Sequence, residues 1–123
     1  MPLETSLTAR LGIEHPILSA PMAAIAGARL VEAVGKAGGF GILGGGYGDK
    51  AWLEQETARL KHCNVPFGIG FITWSMAKQR ELLDIALAVR PRAIMLSFGD
   101  PKPFAARIKA AYGARLSRVK NVF

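Results

Sequence analysis

The 123-residue sequence predicts an α/β fold, a parallel sheet laid down as successive strand-helix units in one domain spanning residues 1–123. Short apolar runs without polar alternation recur along the chain, as in strands buried on both faces. Each is followed by a longer stretch whose apolar residues fall at helical spacing. The runs begin about every 22–27 residues, the tempo of βα units rather than of hairpins.

The first predicted strand is Ile17-Leu18-Ser19-Ala20, bounded by Pro16 and Pro21. The first helix follows over Ala28 to Ala37, with Leu30, Val31, Ala33 and Val34 at helical spacing and a stop at Gly38-Gly39. Phe40-Gly41-Ile42-Leu43 is the second strand. Asp49 is the N-cap expected for a helix carrying Trp52, Leu53 and Leu60. Pro66 to Ile72 gives the third strand, and Leu82, Leu83, Ala86, Leu87 and Val89 mark a helix that ends near Pro91. Ala93 to Leu96 is the fourth strand. A fourth helix, carrying Phe104, Ala105, Ile108 and Ala111, begins after Asp100-Pro101.

Half of the residues are apolar, enough to bury a core, and the formal charge is +7. Lysines and arginines are scattered from Arg10 to Lys109 rather than gathered on one face. The basic tail (Arg115, Arg118, Lys120) lacks interleaved aromatics, so no nucleic-acid partner is expected. The single cysteine, Cys63, excludes an internal disulfide framework and fits a reducing compartment. Without a base and an orienting partner it reads as a structural thiol. Neither a basic-plus-apolar leader nor a run of 18 apolar residues occurs, so the expectation is a cytoplasmic chain without a membrane segment.

The stretch GFGILG, from Gly39 to Gly44, matches the dinucleotide fingerprint G-x-G-x-x-G literally. In a phosphate-binding turn the fingerprint follows a strand and opens a helix. Here it follows a helix, and its centre is itself a strand, so dinucleotide binding is not expected. Gly38-Gly39 end a helix and turn the chain, whereas Gly44-Gly45-Gly46 and Gly48 form the loop leaving the strand's C-terminal end. That loop serves either as a plain turn or as the lining of a ligand site.

Four stretches in order, LGIEHPILSAPMA (Leu11 to Ala23), AVGKAGGFGILGGGY (Ala33 to Tyr47), PFGIGFITW (Pro66 to Trp74) and MLSFGDP (Met95 to Pro101), resemble the N-terminal half of the FMN-dependent nitronate monooxygenases, also called 2-nitropropane dioxygenases. The resemblance runs from Leu11 to about Arg115. It implies a (β/α)8 barrel, of which this chain supplies about four βα units and a fifth strand broken by charge. It further implies FMN at the C-terminal ends of the strands, and metal-free oxidation of alkyl nitronates by O2. By position, Pro21, Met22 and Ala23 would offer backbone and an apolar side chain to the flavin ring, the alternative being an ordinary strand-to-helix turn. Many relatives carry PFGVN at the end of the third strand, with the Asn on the flavin; this chain has Gly70 there, in the GFITW version that a subset of the family shares, and Thr73 or the backbone at Gly70 and Phe71 is the expected substitute. Ser97, closing the fourth strand, belongs to the same rim.

The family's catalytic histidine and phosphate-binding glycine loops belong to the later part of the barrel and correspond to no residue here. No catalytic residue is assigned, and His15 and His62 are expected to be structural or solvent-facing. The stretch 114–123 departs from the relatives: Arg115, Ser117, Arg118 and Lys120 interrupt the apolar run of a fifth strand. The expectation is a truncated or frame-disrupted product, inactive alone, whose two open sheet edges invite a homodimer. Two alternatives stand beside the nitronate reading: an FMN-dependent enoyl-acyl-carrier-protein reductase, whose first half has a similar glycine pattern, and a non-catalytic half-barrel acting only through assembly.

Overall fold

The computed structural model describes residues 2–112. It contains three strands, β1 (Gly41–Gly44), β2 (Phe67–Ile72) and β3 (Ala93–Ser97), and six helices. The helices are α1 (Ser6–Leu11), α2 (Ala28–Lys36), α3 (Lys50–Leu60), α4 (Thr73–Met76), α5 (Glu81–Ala88) and α6 (Lys102–Tyr112). The sheet order is β1-β2-β3 and every pairing is parallel, with Leu43 opposite Ile69 and Ile69 opposite Ile94. This is the strand-helix alternation that the apolar runs predict, and the fold is part of a (β/α)8 barrel.

One face of the sheet meets the helices. Leu43, Phe67, Ile69, Phe71, Ile94 and Leu96 form a buried core with Val31 of α2, Leu53 and Leu60 of α3, Leu82, Leu83 and Ala86 of α5, and Phe104 and Ile108 of α6. Burial of each large side chain contributes about 1.5–3 kcal/mol. α2 lies so close to β1 that a Cβ on Gly41 would sit 2.5 Å from the Val31 carbonyl oxygen. Only glycine fits that contact. Cys63 packs at the margin of this core, its Sγ 3.7 Å from the Val65 carbonyl oxygen, which is the structural role expected of it.

The helix caps follow the sequence. Asp49 accepts from the Trp52 amide (2.9 Å) and opens α3, and the Asp100 carboxylate accepts from Lys102 N–H (3.0 Å) at the head of α6. Two helices were not anticipated. α1 is set by Thr5, whose hydroxyl accepts from Thr8 N–H while the Thr8 hydroxyl accepts from Thr5 N–H, and it stops at Gly12 in the left-handed region (φ 70°). α4 grows directly out of β2 without a side-chain cap.

The first predicted strand needs correction. Residues 17–20 form an isolated parallel bridge, Leu18 to Phe40, held by Phe40 N–H to the Ile17 carbonyl (2.8 Å) and Ser19 N–H to the Phe40 carbonyl (3.0 Å). Ile17 is 63% exposed and Leu18 42%, so the segment is an edge rather than a strand buried on both faces. The flanking prolines cannot donate to a ladder, which confines pairing to the residues between them. The glycine fingerprint runs through β1 and opens no helix, as its order along the sequence implies. The predicted fifth strand lies outside the described residues.

Candidate functional site

Parallel βα units place ligand-facing loops at the C-terminal ends of their strands. Four such loops converge here: Pro21–Ala24 after the bridge segment, Gly45–Gly48 after β1, Thr73–Trp74 after β2 and Phe98–Gly99 after β3.

Pro21 lies against Gly70, where an added Cβ would stand 2.5 Å from Pro21 Cβ and 2.7 Å from its Cγ. The next turn is held by its own backbone: Ala26 N–H and Ile25 N–H donate to the Met22 carbonyl (2.8 and 3.2 Å), and Gly44 N–H donates to the Ala26 carbonyl (3.0 Å). Gly44 packs directly on the Met22 carbonyl, and Gly46 on Ala23. Met22 nevertheless leaves 42% of its surface exposed. The N–H groups of Ala23 and Ala24 donate to no backbone carbonyl among the described residues. These features make an apolar side chain beside free backbone donors, a wall suited to a planar ligand.

Gly45 N–H donates to the Gly70 carbonyl (2.7 Å), which ties the glycine loop to the end of β2. That bond places the loop in the rim, beside the end of β2. Thr73 is 2% exposed, and its Oγ1 has no hydrogen-bond partner among the described residues. A buried unpaired hydroxyl costs about 1–3 kcal/mol, and Thr73 carries the one such buried side-chain atom among the described residues. Gly99 covers it, since a Cβ there would lie 3.1 Å from Thr73 Cβ. Ser97 closes β3 opposite Ile72 and is half-buried.

All six residues assigned from the sequence, Pro21, Met22, Ala23, Gly70, Thr73 and Ser97, therefore fall on one rim. None is titratable, and the two acidic residues of the rim loops, Asp49 and Asp100, serve as helix caps. Neither histidine stands there. His15 precedes the bridge segment, its N–H on the Gly38 carbonyl (2.9 Å) and its ring 4.0 Å from Glu14, and His62 follows the end of α3. Among the described residues no group of three or more His, Cys, Asp or Glu is placed to hold a metal ion. Nor is any helix long and apolar enough to cross a membrane.

The sequence reading missed part of the rim. Tyr47 (71% exposed), Trp74 (50%) and Phe98 (72%) present large apolar surfaces there. Ala24 and Phe98 hold φ values of 58° and 59°, a region that non-glycine residues seldom enter and that concentrates at ligand sites. Exposed aromatics at strand ends were visible in the sequence; the left-handed backbone at Phe98 had no signal. Glu56, also missed, is buried at 6% exposure and accepts from Ala28 N–H (2.7 Å) and from Arg59 (3.1 Å). It satisfies the N-terminus of α2, which accounts for its burial without a catalytic role.

Comparison with known proteins bears on the family and the fold. The family model described as nitronate monooxygenase matches residues 4–110. A 5-hydroxy-7a-methyl-1-oxo-octahydro-1H-indene-4-carboxyl-CoA dehydrogenase of Mycobacterium tuberculosis is 32% identical over 112 residues, covering 90% of this chain and 31% of that protein. A probable nitronate monooxygenase of Staphylococcus haemolyticus is 41% identical over 64 residues, 51% of this chain and 18% of that one. The structure of FabK from Thermotoga maritima superposes with a TM-score of 0.77 at 28% identity, covering 89% of this chain and 35% of that one. The chain thus spans about a third or less of the length of the curated relatives it matches. A family model that fits almost every described residue, on a fold shared with a solved relative, places this chain in the nitronate monooxygenase family of oxidoreductases.

Proposed function

We propose that the chain forms the ring-facing wall of an FMN-dependent oxidoreductase that oxidises alkyl nitronates with O2. The observation that carries this reading is the convergence of Pro21, Met22, Ala23, Gly70, Thr73 and Ser97 on one rim of a chain whose family model matches residues 4–110. The residues present fit a flavin ring. Met22 offers a partly exposed apolar side chain to a ring face, the N–H groups of Ala23 and Ala24 offer donors to its polar edge, and the orphaned Thr73 hydroxyl offers one more. Bound there, FMN supplies a two-electron acceptor that O2 can reoxidise. The chain's own part is to hold and orient the ring and to keep water off one side of it. The proton-transfer residue and the phosphate clamp belong to later strands of such a barrel.

A second reading is favoured by one observation: the match to the carboxyl-CoA dehydrogenases extends over 112 and 110 residues, whereas that to the nitronate monooxygenase relatives covers 64 and 50. On this reading the same wall serves oxidation or reduction of an acyl thioester, as in the enoyl reductase alternative. In a complete barrel, flavin reduction and O2 uptake with propyl nitronate, and anaerobic reoxidation by an enoyl thioester of flavin first reduced with dithionite, separate the two. Turnover of the nitronate alone supports the first reading, turnover of the thioester alone the second, and turnover of neither refutes both.

A further inference from the structure

Beyond the ring wall, the rim carries an aromatic pair with a cation beside it. Tyr47 and Trp74 have ring centroids 6.3 Å apart at an interplanar angle of 50°, and Lys78 Nζ lies 5.4 Å from the Trp74 ring centroid. Both rings are largely exposed, although burying either would contribute to stability. The loop that displays them is braced. Gly46 and Gly48, either side of Tyr47, take left-handed φ values of 64° and 93°, which turn the chain sharply and leave the tyrosine at the tip. Gln79 Nε2 then donates to the Gly48 carbonyl (3.1 Å), fastening this tip to the segment that carries Trp74 and Lys78. Two strand-end loops are thereby locked into one shelf, one residue along the chain from the Gly46 contact with Ala23.

We propose that this shelf binds the adenine nucleotide end of a coenzyme-carried substrate, the base stacking on Trp74 and Tyr47 and a phosphate meeting Lys78. The chemistry selects that class. A flat base recovers apolar area on exposed ring faces, as in sequence-independent nucleobase stacking. A phosphate complements an ammonium that has no carboxylate partner among the described residues. The chain's formal charge of +7 favours an anionic ligand. A compact nitronate has neither a base nor a phosphate for such a shelf, so the inference rests on the acyl-thioester reading. It adds the means by which the carrier is held while its acyl end reaches the wall at Met22.

The test is binding of adenosine 3',5'-bisphosphate to the full chain, followed by tryptophan fluorescence and by calorimetry, with circular dichroism as the folding control. Saturable quenching is expected. Trp74→Leu should remove the quenching and weaken calorimetric binding about tenfold or more. Lys78→Ala, at an exposed position, should weaken bisphosphate binding about tenfold and leave that of uncharged adenosine unchanged. Absence of saturable binding at millimolar nucleotide would overturn the proposal, as would affinity unaltered in both variants, because the rings would then be a packing surface for neighbouring barrel loops. If Trp74→Leu fails to fold, the Lys78→Ala comparison of bisphosphate with adenosine decides alone. Turnover separates this inference from the reading beneath it. A thioester used with equal KM on coenzyme A and on a pantetheine lacking the nucleotide removes the shelf and keeps the thioester chemistry; nucleotide binding lost in Lys78→Ala, without thioester turnover, keeps the shelf and removes the chemistry.

Discussion

Gly70 lies near the end of β2 against Pro21, and the structure leaves no room there for a side chain. An added Cβ would lie 2.5 and 2.7 Å from Pro21 Cβ and Cγ. Carbon atoms in favourable contact are about 3.5–4.0 Å apart, so Gly70→Ala must move Pro21 by about 1 Å. The proline ring cannot swing aside as a lysine tip would, because it is closed onto the backbone that continues into Met22 and Ala23. Overpacking of this kind costs about 1–3 kcal/mol. With a urea m-value of about 1–3 kcal/mol per molar, the unfolding midpoint should fall by about 1 M while m is unchanged. Pro21→Gly removes both clashing atoms, so the double variant Pro21→Gly/Gly70→Ala should be more stable than the sum of the single effects predicts. A Gly70→Ala protein with an unchanged midpoint, or strictly additive effects in the cycle, would refute the claim that Pro21 and Gly70 form one packed unit of the wall.

Three further outcomes follow from individual contacts. Glu56→Ala strands the Ala28 amide at the head of α2 and should cost about 1–3 kcal/mol by urea unfolding, whereas Glu56→Gln keeps an acceptor and should recover part of that loss. Thr73→Val exchanges an unpaired buried hydroxyl for a methyl, so unfolding should show stability equal or higher; in a flavin-loaded barrel the same change should weaken FMN, and a clear loss of stability without flavin would show that the hydroxyl is already satisfied. Burial pushes the Tyr112 phenol, which donates to the Pro91 carbonyl, up to about 12 from 10.0. The unfolded chain then releases this proton first, so the contribution is whole below about pH 10 and is lost as pH rises through about 12. A series of urea midpoints should decline over that window in the native sequence and less in Tyr112→Phe, and equal declines would contradict the assignment.

Much of this fold is written in local patterns. Asp49 and Asp100 cap the helices their positions announce, and the apolar runs at Phe40, Pro66 and Ala93 become neighbouring parallel strands because β-propensity and burial agree there. The run at Ile17 carried the same local signal, yet it forms only a bridge, since pairing depends on what lies alongside and local composition does not record it. α1 was only weakly marked, because Thr8 stands where a capping box usually carries Glu or Gln. α4 was not legible, because Thr73-Trp74 continue a β-prone run and are turned into a helix by tertiary contacts at the strand end. The rim positions came from motif resemblance. That Gly70 is enforced by Pro21, that Thr73 is buried without a partner, and that Tyr47 and Trp74 meet are relations between segments distant in sequence, and only the folded chain brings them together.

The central claim is that these residues are one wall of a flavin site whose phosphate clamp lies in later strands. FMN held by this wall alone gains a few hydrogen bonds of about 0.5–1.5 kcal/mol each against about 4–15 kcal/mol of lost motional freedom. The flavin absorbance band of the purified protein tests this most directly, measured for the 123-residue chain alone and after co-expression with the later strands of a nitronate monooxygenase barrel. A colourless chain that becomes yellow with stoichiometric FMN on assembly, and loses that colour when Met22 and Thr73 are replaced, is the predicted result. Stoichiometric FMN on the chain alone, or an assembled barrel whose flavin content ignores those two positions, would contradict it.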